Sequence, residues 1–136
     1  MADTLRLEIV TPDAIVYSED VEMVTFTSVE GDLGILPQHV GLMTQMVPGE
    51  MIVRRGGHDE FLAVGDGLVE VTLKRVSILT NMAIAVDKID EARVEEARKR
   101  AEARLREKLS AEEIASVNAS LAHSLAQLRV KRRRHG

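Results

Sequence analysis

Residue 87 divides this chain into two regimes, and that division limits the folds open to it more than any other feature. Before Asp87 the hydrophobic period is mostly two, and glycine or proline recurs at short intervals. After it neither residue appears again until Gly136. Leu5, Leu7 and Ile9 alternate with Arg6 and Glu8, and Val69 and Val71 alternate with Glu70, as in half-buried strands. Turn signals stand at Thr11-Pro12-Asp13, Ser18-Glu19-Asp20, Gly31–Gly34, Pro48-Gly49, Gly56-Gly57 and Asp66-Gly67. Gly56-Gly57 reads as a tight hairpin between Met51–Arg55 and His58–Val64. The phase slips near Met23-Val24, which predicts a bulge or a strand covered on both faces. Many short strands with regular turns predict an antiparallel β-sandwich or flattened barrel over residues 1–86.

From Asp87 the pattern becomes helical. Asp87 is a plausible N-cap, and Ile89–Leu109 is rich in Ala, Glu, Arg and Lys. Glu95–Lys99, Glu96–Arg100 and Glu102–Arg106 are spaced as i,i+4 pairs. Ser110 and Glu113 form a capping box that opens a second helix, with an apolar stripe at Ile114, Val117, Leu121, Leu125 and Leu128. The first helix has a poorer stripe, Ile89, Ala97, Ala101, Leu105 and Leu109. Residues 87–136 therefore read as an antiparallel two-helix hairpin. Its alanine-rich seam buries little area at about 25 cal/mol per Å², so it is predicted to be a movable element.

Aromatic residues make up only 2% of the chain, so the core must be built from Val, Ile, Leu and Met. Without cysteine there are no disulfides and no thiolate metal sites. No apolar run approaches the roughly 20 residues that span a bilayer, and Met1-Ala2-Asp3 does not open a signal peptide, which predicts a soluble protein. The net charge of −4 is uneven. Residues 1–86 carry 13 acidic and 5 basic side chains, residues 87–136 carry 9 and 13, giving −8 and +4. A basic second half either seeks an acidic surface or is a solvated helical face.

The segment Glu30–Leu42 holds an acidic residue between Gly31 and Gly34, then Ile35-Leu36 running into Pro37, then His39. Proline fixes φ and lacks a donor, so the apolar stretch must end at an edge or corner. No second titratable group accompanies His39 as nucleophile or base, which suits a contact surface better than a catalytic pocket. No phosphate-binding glycine loop, His-Glu-x-x-His or Gly-x-Ser-x-Gly occurs, and His39, His58, His123 and His135 lack metal-ligand spacing. The run Arg129-Val130-Lys131-Arg132-Arg133-Arg134-His135 is the one nucleic-acid signal. An acidic first half and scarce aromatics argue against nucleic acid and leave an acidic protein surface, or helix capping and solvation.

Gly-Asp-Leu-Gly-Ile-Leu-Pro-x-His with Pro48-Gly49, Gly65–Leu79, Ile89–Arg93 and Leu125–Val130 together resemble the ε subunit of bacterial and chloroplast F-type ATP synthases, called δ in mitochondria. The resemblance covers nearly the whole chain in order. It implies a non-catalytic rotor subunit whose sandwich binds the central-stalk γ subunit and rests on the c-ring. It also implies a hairpin that folds on the sandwich or extends toward the catalytic α/β head and brakes ATP hydrolysis. Carried over, Asp32 faces the c-ring, and His39, Val40 and Leu42 meet γ. Arg98, Lys99, Arg100, Arg104, Arg129, Lys131, Arg132, Arg133 and Arg134 are then available to an acidic segment of the β subunits. Some relatives bind ATP between the helices. Here Ile89, Asp90, Arg93 and Arg100 are kept, but Val94 replaces an alanine, Ile84 a glutamate, and His123 and Gln127 two arginines. The resemblance thus implies that no cofactor is required and that ATP binding is weak or absent. An ATP-sensing module is the alternative function. The implied location is peripheral, on the cytoplasmic face of a bacterial energy-coupling membrane and reached only through the complex.

Overall fold

A computed structural model describes residues 3–134. Ten strands, β1 (Leu5–Val10), β2 (Ile15–Val21), β3 (Met23–Ser28), β4 (Gly31–Ile35), β5 (Leu42–Met46), β6 (Gly49–Arg55), β7 (His58–Val64), β8 (Gly67–Val71), β9 (Arg75–Thr80) and β10 (Ala83–Ala85), precede two helices, α1 (Glu91–Arg104) and α2 (Ala111–Arg134). The sheet order is β10-β7-β6-β3-β5-β8-β9-β1-β2, with β4 paired to β3 off this path. All pairs are antiparallel except β1 with β9. Inward residues of β1, β3, β6, β8 and β9 meet in one cluster that includes Leu7, Ile9, Phe26, Val53, Val69 and Ile78, so the sheet folds over on itself into a nearly closed sandwich. Alternation decides which side chains enter: β1 reads buried–half-buried throughout, as its sequence predicts.

Several local expectations change. Ser18-Glu19-Asp20 is not a turn; it lies inside β2, whose partner β1 takes Arg6 opposite Asp20 and Glu8 opposite Ser18. The phase slip near Met23 is neither a bulge nor double coverage. The chain leaves β2 at Val21, turns a corner at Glu22 and starts β3, so the inward phase restarts. A register shift occurs instead between Ile9 and Val10. Gly31–Gly34 is strand rather than turn. The reversal falls at Val29-Glu30, and Gly31 opens β4 with φ +122°, a conformation that an L side chain resists. Gly56-Gly57 does close the β6–β7 hairpin, with φ +60° and +77° and Arg55 opposite His58.

Asp87 caps nothing: it sits in a short 3-10 turn, Val86–Lys88, and the α1 N-cap is Asp90, whose carboxylate accepts the Arg93 amide at 3.3 Å. The helix ends at Arg104 rather than Leu109. The capping box at α2 forms as expected, Glu113 N–H to Ser110 Oγ at 3.2 Å and Ser110 N–H to Glu113 Oε1 at 3.1 Å. None of the three expected i,i+4 pairs forms among the described residues. Arg98 of the same helix instead reaches Glu95 and Glu102, and Arg132 of α2 reaches Glu91 at 2.8 Å and Glu95 at 3.0 Å, so Glu95 and Glu102 are held by other guanidiniums.

The hairpin is folded down. α2 crosses the outer face of β6 and β7, where Ala63, Ile89 and Val130 are buried with Met82, Ile84, Val86 and Val94 against them. This corrects the α2 stripe in part: Leu128 is buried as expected, but Ile114 and Leu125 are 42% exposed, and Ser124, Ala126 and Val130, outside the stripe, are buried. The buried residues of α2 all lie in its second half.

Candidate functional site

Strand register gives the sandwich two distinct ends. Ser28 stands beside Gly31 and Met46, Met46 opposite Gly67, and Gly67 opposite Thr80. The loops after β1, β3, β5, β7 and β9 therefore gather at one end. The corner at Glu22, the Leu36–Gly41 loop, the Gly56-Gly57 turn and the Thr72–Lys74 loop gather at the other.

Asp32 belongs to the first end. It lies one residue into β4, exposed, and its Oδ1 accepts the Thr27 hydroxyl across the ladder at 2.7 Å. Val29 beside it is 57% exposed. His39 belongs to the opposite end, in the loop that Pro37 starts, so the structure separates the two rather than bringing them together. The His39 amide bonds Leu36 O at 3.2 Å, and its Nδ1 donates to Val40 O at 2.7 Å, which fixes the proton on that nitrogen. The loop is tied to its neighbour by Gln38 N–H to Leu73 O at 3.0 Å. Leu36, Leu73 and Val40 are exposed there, Val40 at 78%. Leu42 starts β5, is half-buried, and packs on the main core.

A second surface escaped sequence reasoning. On the outer face of the sheet, Val10, Leu79 and Leu68 sit side by side across β1, β9 and β8, and Met43 of β5 lies diagonally beyond Leu68. Leu68, Leu79 and Met43 are 49%, 56% and 67% exposed, and the strip borders a cleft of about 220 Å³ flanked by Glu8, Glu70 and Ser77. The signal was present: in β8 and β9 apolar residues occupy both phases, Leu68 beside Val69 and Leu79 beside Ile78, which a strand with one wet face does not need.

The basic residues divide by engagement. Arg134 chelates Glu50, Nε to Oε2 and Nη2 to Oε1 both at 2.7 Å, with its guanidinium carbon 4.1 Å from the centre of the Phe61 ring. Arg133 also approaches Glu50, at 3.7 Å. Lys131 Nζ donates to Val86 O at 3.1 Å, and Arg132 ties α2 to α1. Arg104 pairs with Glu113 at 3.4 Å. Arg98, with Arg129 and Arg132, lines an open groove between the helices together with Leu125 and Leu128. Lys99, Arg100 and Arg129 are exposed, and His135 lies outside the described residues.

Of the nucleotide candidates, Ile89 and Ile84 join one apolar cluster, whereas Asp90 caps its own helix and Arg93 and Arg100 stand exposed on α1. His123 lies half-buried on α2 against Gly65, and Gln127 is half-buried one turn later. No cluster of three or more His, Cys, Asp or Glu suited to a metal exists among the described residues, and no helix there is long and apolar enough to cross a membrane.

Elsewhere, Tyr17 of β2 donates to Glu60 of β7 at 2.9 Å beneath the Arg55 guanidinium. Burial first, and the hydrogen bond to Glu60 second, push the phenol's pKa upward, so this seam between β2 and β7 stays protonated and structural.

The sequence matches two family models in order: the β-sandwich domain of the ATP synthase delta/epsilon chain over residues 4–86, and its long α-helix domain over 87–132. An ATP synthase epsilon chain of Herpetosiphon aurantiacus is 41% identical over 130 residues, covering 96% of each chain. One of Halorhodospira halophila is 39% identical over 128 residues, covering 93% of this chain and 91% of that one. One of Desulforamulus reducens is 42% identical over 108 residues, covering 79% and 82%. Among solved structures, a chain of the Euglena gracilis mitochondrial ATP synthase (OSCP/F1/c-ring) shares the fold with a TM-score of 0.72 at 24% identity, covering 90% of this chain and 78% of that one. A chain of the Tetrahymena thermophila mitochondrial ATP synthase central stalk and c-ring gives 0.57 at 12%, covering 96% of each. With both halves of the fold matched and relatives near 40% identity along almost its full length, this chain belongs to the ATP synthase delta/epsilon family.

Proposed function

We propose that the chain is a non-catalytic rotor subunit that links γ to the c-ring and restrains ATP hydrolysis through its helices. The observation that carries the linker role is the uncovered apolar strip Val10–Leu79–Leu68–Met43. The chain covers one outer face of its own sandwich with α2 and leaves another bare, which is how a docking surface differs from a solvated one. That strip, with the exposed Leu36–Val40 loop and His39, is the surface we assign to γ. Asp32 and Val29, at the opposite end, are the surface we assign to the ring. The β unit of residues 1–86 is the grip, and residues 87–136 are the movable part.

In this reading the subunit sits on the cytoplasmic face of a bacterial membrane, held there only by its partners. It needs no nucleotide: Asp90 is spent on capping α1, and Ile84, His123 and Gln127 bring no fixed charge to a phosphate. The exposed Lys99, Arg100 and Arg129, and the tail arginines once released, meet the acidic head.

Leu68→Asp tests the linker. Buried leucine contributes about 1.5–3 kcal/mol, so retention of the chain on γ should fall on the order of tenfold or more. Unchanged retention would remove γ from this face. For the brake, reconstituted complexes carrying the full chain should hydrolyse ATP more slowly than complexes carrying a chain that ends at Asp87. Equal rates would remove the brake and leave the linker standing.

A further inference from the structure

We propose that Glu50 and Phe61 form a guanidinium-binding site on the sandwich whose resident ligand is Arg134 of the chain's own α2. Both side chains point outward from neighbouring strands: β6 places Glu50 opposite Ala63, two residues from Phe61 on β7, and the same face carries buried Ala63. With α2 docked, the acidic side chain of Glu50 is only 13% exposed, so the helix that covers it must also supply its counter-charge. Phe61 presents a ring face beside it. A carboxylate that offers two oxygens in front of an aromatic ring matches the flat fork of arginine and not the compact ammonium of lysine. Arg134 satisfies each part of that match, with two bonds of 2.7 Å and a 4.1 Å approach to the ring. Arg133 adds a looser contact of 3.7 Å to the same carboxylate.

The site makes the C-terminal end of α2 a clasp. The apolar cluster that joins α2 to the sheet has only Ala63, Ile89 and Val130 buried in it, so the helix's apolar grip is modest and the directional polar contact at its far end decides whether it stays down. A guanidinium cannot serve two carboxylates at a distance: while Arg134, with Arg133 beside it, holds Glu50, both are withheld from any acidic partner. When α2 leaves, Glu50 and Phe61 stand open to an arginine from elsewhere. The consequence for hydrolysis rests on the braking role proposed above; the clasp itself does not.

The experiment is amide hydrogen exchange on the full chain, comparing wild type with Glu50→Gln, Arg134→Lys and the exchange variant Glu50→Arg/Arg134→Glu. Exchange of residues 61–64 and 124–130 should speed up several-fold in Glu50→Gln and nearly as much in Arg134→Lys, and should return toward wild type in the double variant. Amides of Leu7, Ile9, Val69 and Ile78 should keep their protection throughout, which shows that the sandwich is folded. Wild-type exchange in Glu50→Gln would overturn the clasp. Wild-type exchange in Arg134→Lys alone would overturn guanidinium recognition. ATP hydrolysis by the reconstituted complex reports separately on the brake, so a clasp without a brake is distinguishable from neither.

Discussion

Gly65 sits where α2 crosses the end of β7. A Cβ built there would lie 2.7 Å from Nε2 of His123, 3.1 Å from its Cδ2 and 3.5 Å from Oγ1 of Thr80. The imidazole is a side-chain end and can swing away, at the cost of its packing against the sheet. Gly65→Ala should therefore weaken docking without harming the sandwich: faster exchange at 124–130, unchanged protection at Val69 and Ile78. Gly67, two residues on, behaves differently. Its Cβ would overlap the Leu79 carbonyl oxygen, and backbone in a paired strand cannot give way. Gly67→Ala should cost about 3 kcal/mol, at the upper end for overpacking, read as a lower urea midpoint for the whole sandwich. If the two alanines proved equally harmful, the close approach at Gly65 would be a contact with the body of the fold and not with a movable helix.

Arg132 to Glu91 and Glu95, and Arg104 to Glu113, tie the two helices together by charge, and this gives the hairpin its own acid sensitivity. A hydrogen bond from Arg98, reinforced by Arg132, holds the Glu95 carboxyl below its usual range. The backbone and hydroxyl of Ser110 do the same for Glu113. A depressed folded-state value means stability that is present above the ordinary carboxylate value of 4.5 and is lost as pH falls through the folded one. Acidification below pH 4.5 should therefore loosen the hairpin while the β core, whose main cluster contains no ionisable side chain except half-buried Tyr17, holds. Methyl resonances of Val130 and Ile9 followed together check this; coincident transitions would count against separate elements. The same charges show where the sequence was opaque. Strand alternation in β1 and β8 and the Ser110–Glu113 box were legible because each is a local pattern. Glu95 choosing Arg98 and Arg132 over Lys99 depends on a helix that arrives from 37 residues away. The docked face of α2 was illegible for another reason: Ser124 and Ala126 carry almost no hydropathy signal, while Leu125, which carries plenty, is left 42% exposed. Asp32 and His39 were both found from one motif, yet nothing in that motif says that β4 would send them to opposite ends.

At the scale of the molecule, the sixteen residues of the main cluster all lie between Leu5 and Ile78, and neither helix contributes to it. A chain ending at Asp87 keeps the whole main cluster and loses the satellite contacts around Ala63 and the surface contacts of Arg133 and Arg134 with Glu50, so it should unfold cooperatively with a melting point close to that of the sandwich in the full chain. The reverse does not hold. Within residues 89–134 the buried side chains are Ile89, Ala101, Ser124, Ala126, Leu128 and Val130, and Ile89 and Val130 are buried against Ala63 of the sheet. Helices stripped of their packing partner are marginal in water, so a peptide of residues 89–134 should lose most of its helicity, as circular dichroism would show. This one-way dependence is what a detachable arm requires. Under the proposed function the grip on the rotor must survive when α2 lifts, and the lifted helices must find a new surface or melt, which would give the extended state a cost that only a partner can offset. If truncation at Asp87 abolished the cooperative transition, lifting α2 would unfold the grip, and no subunit built this way could brake the complex while staying attached to it.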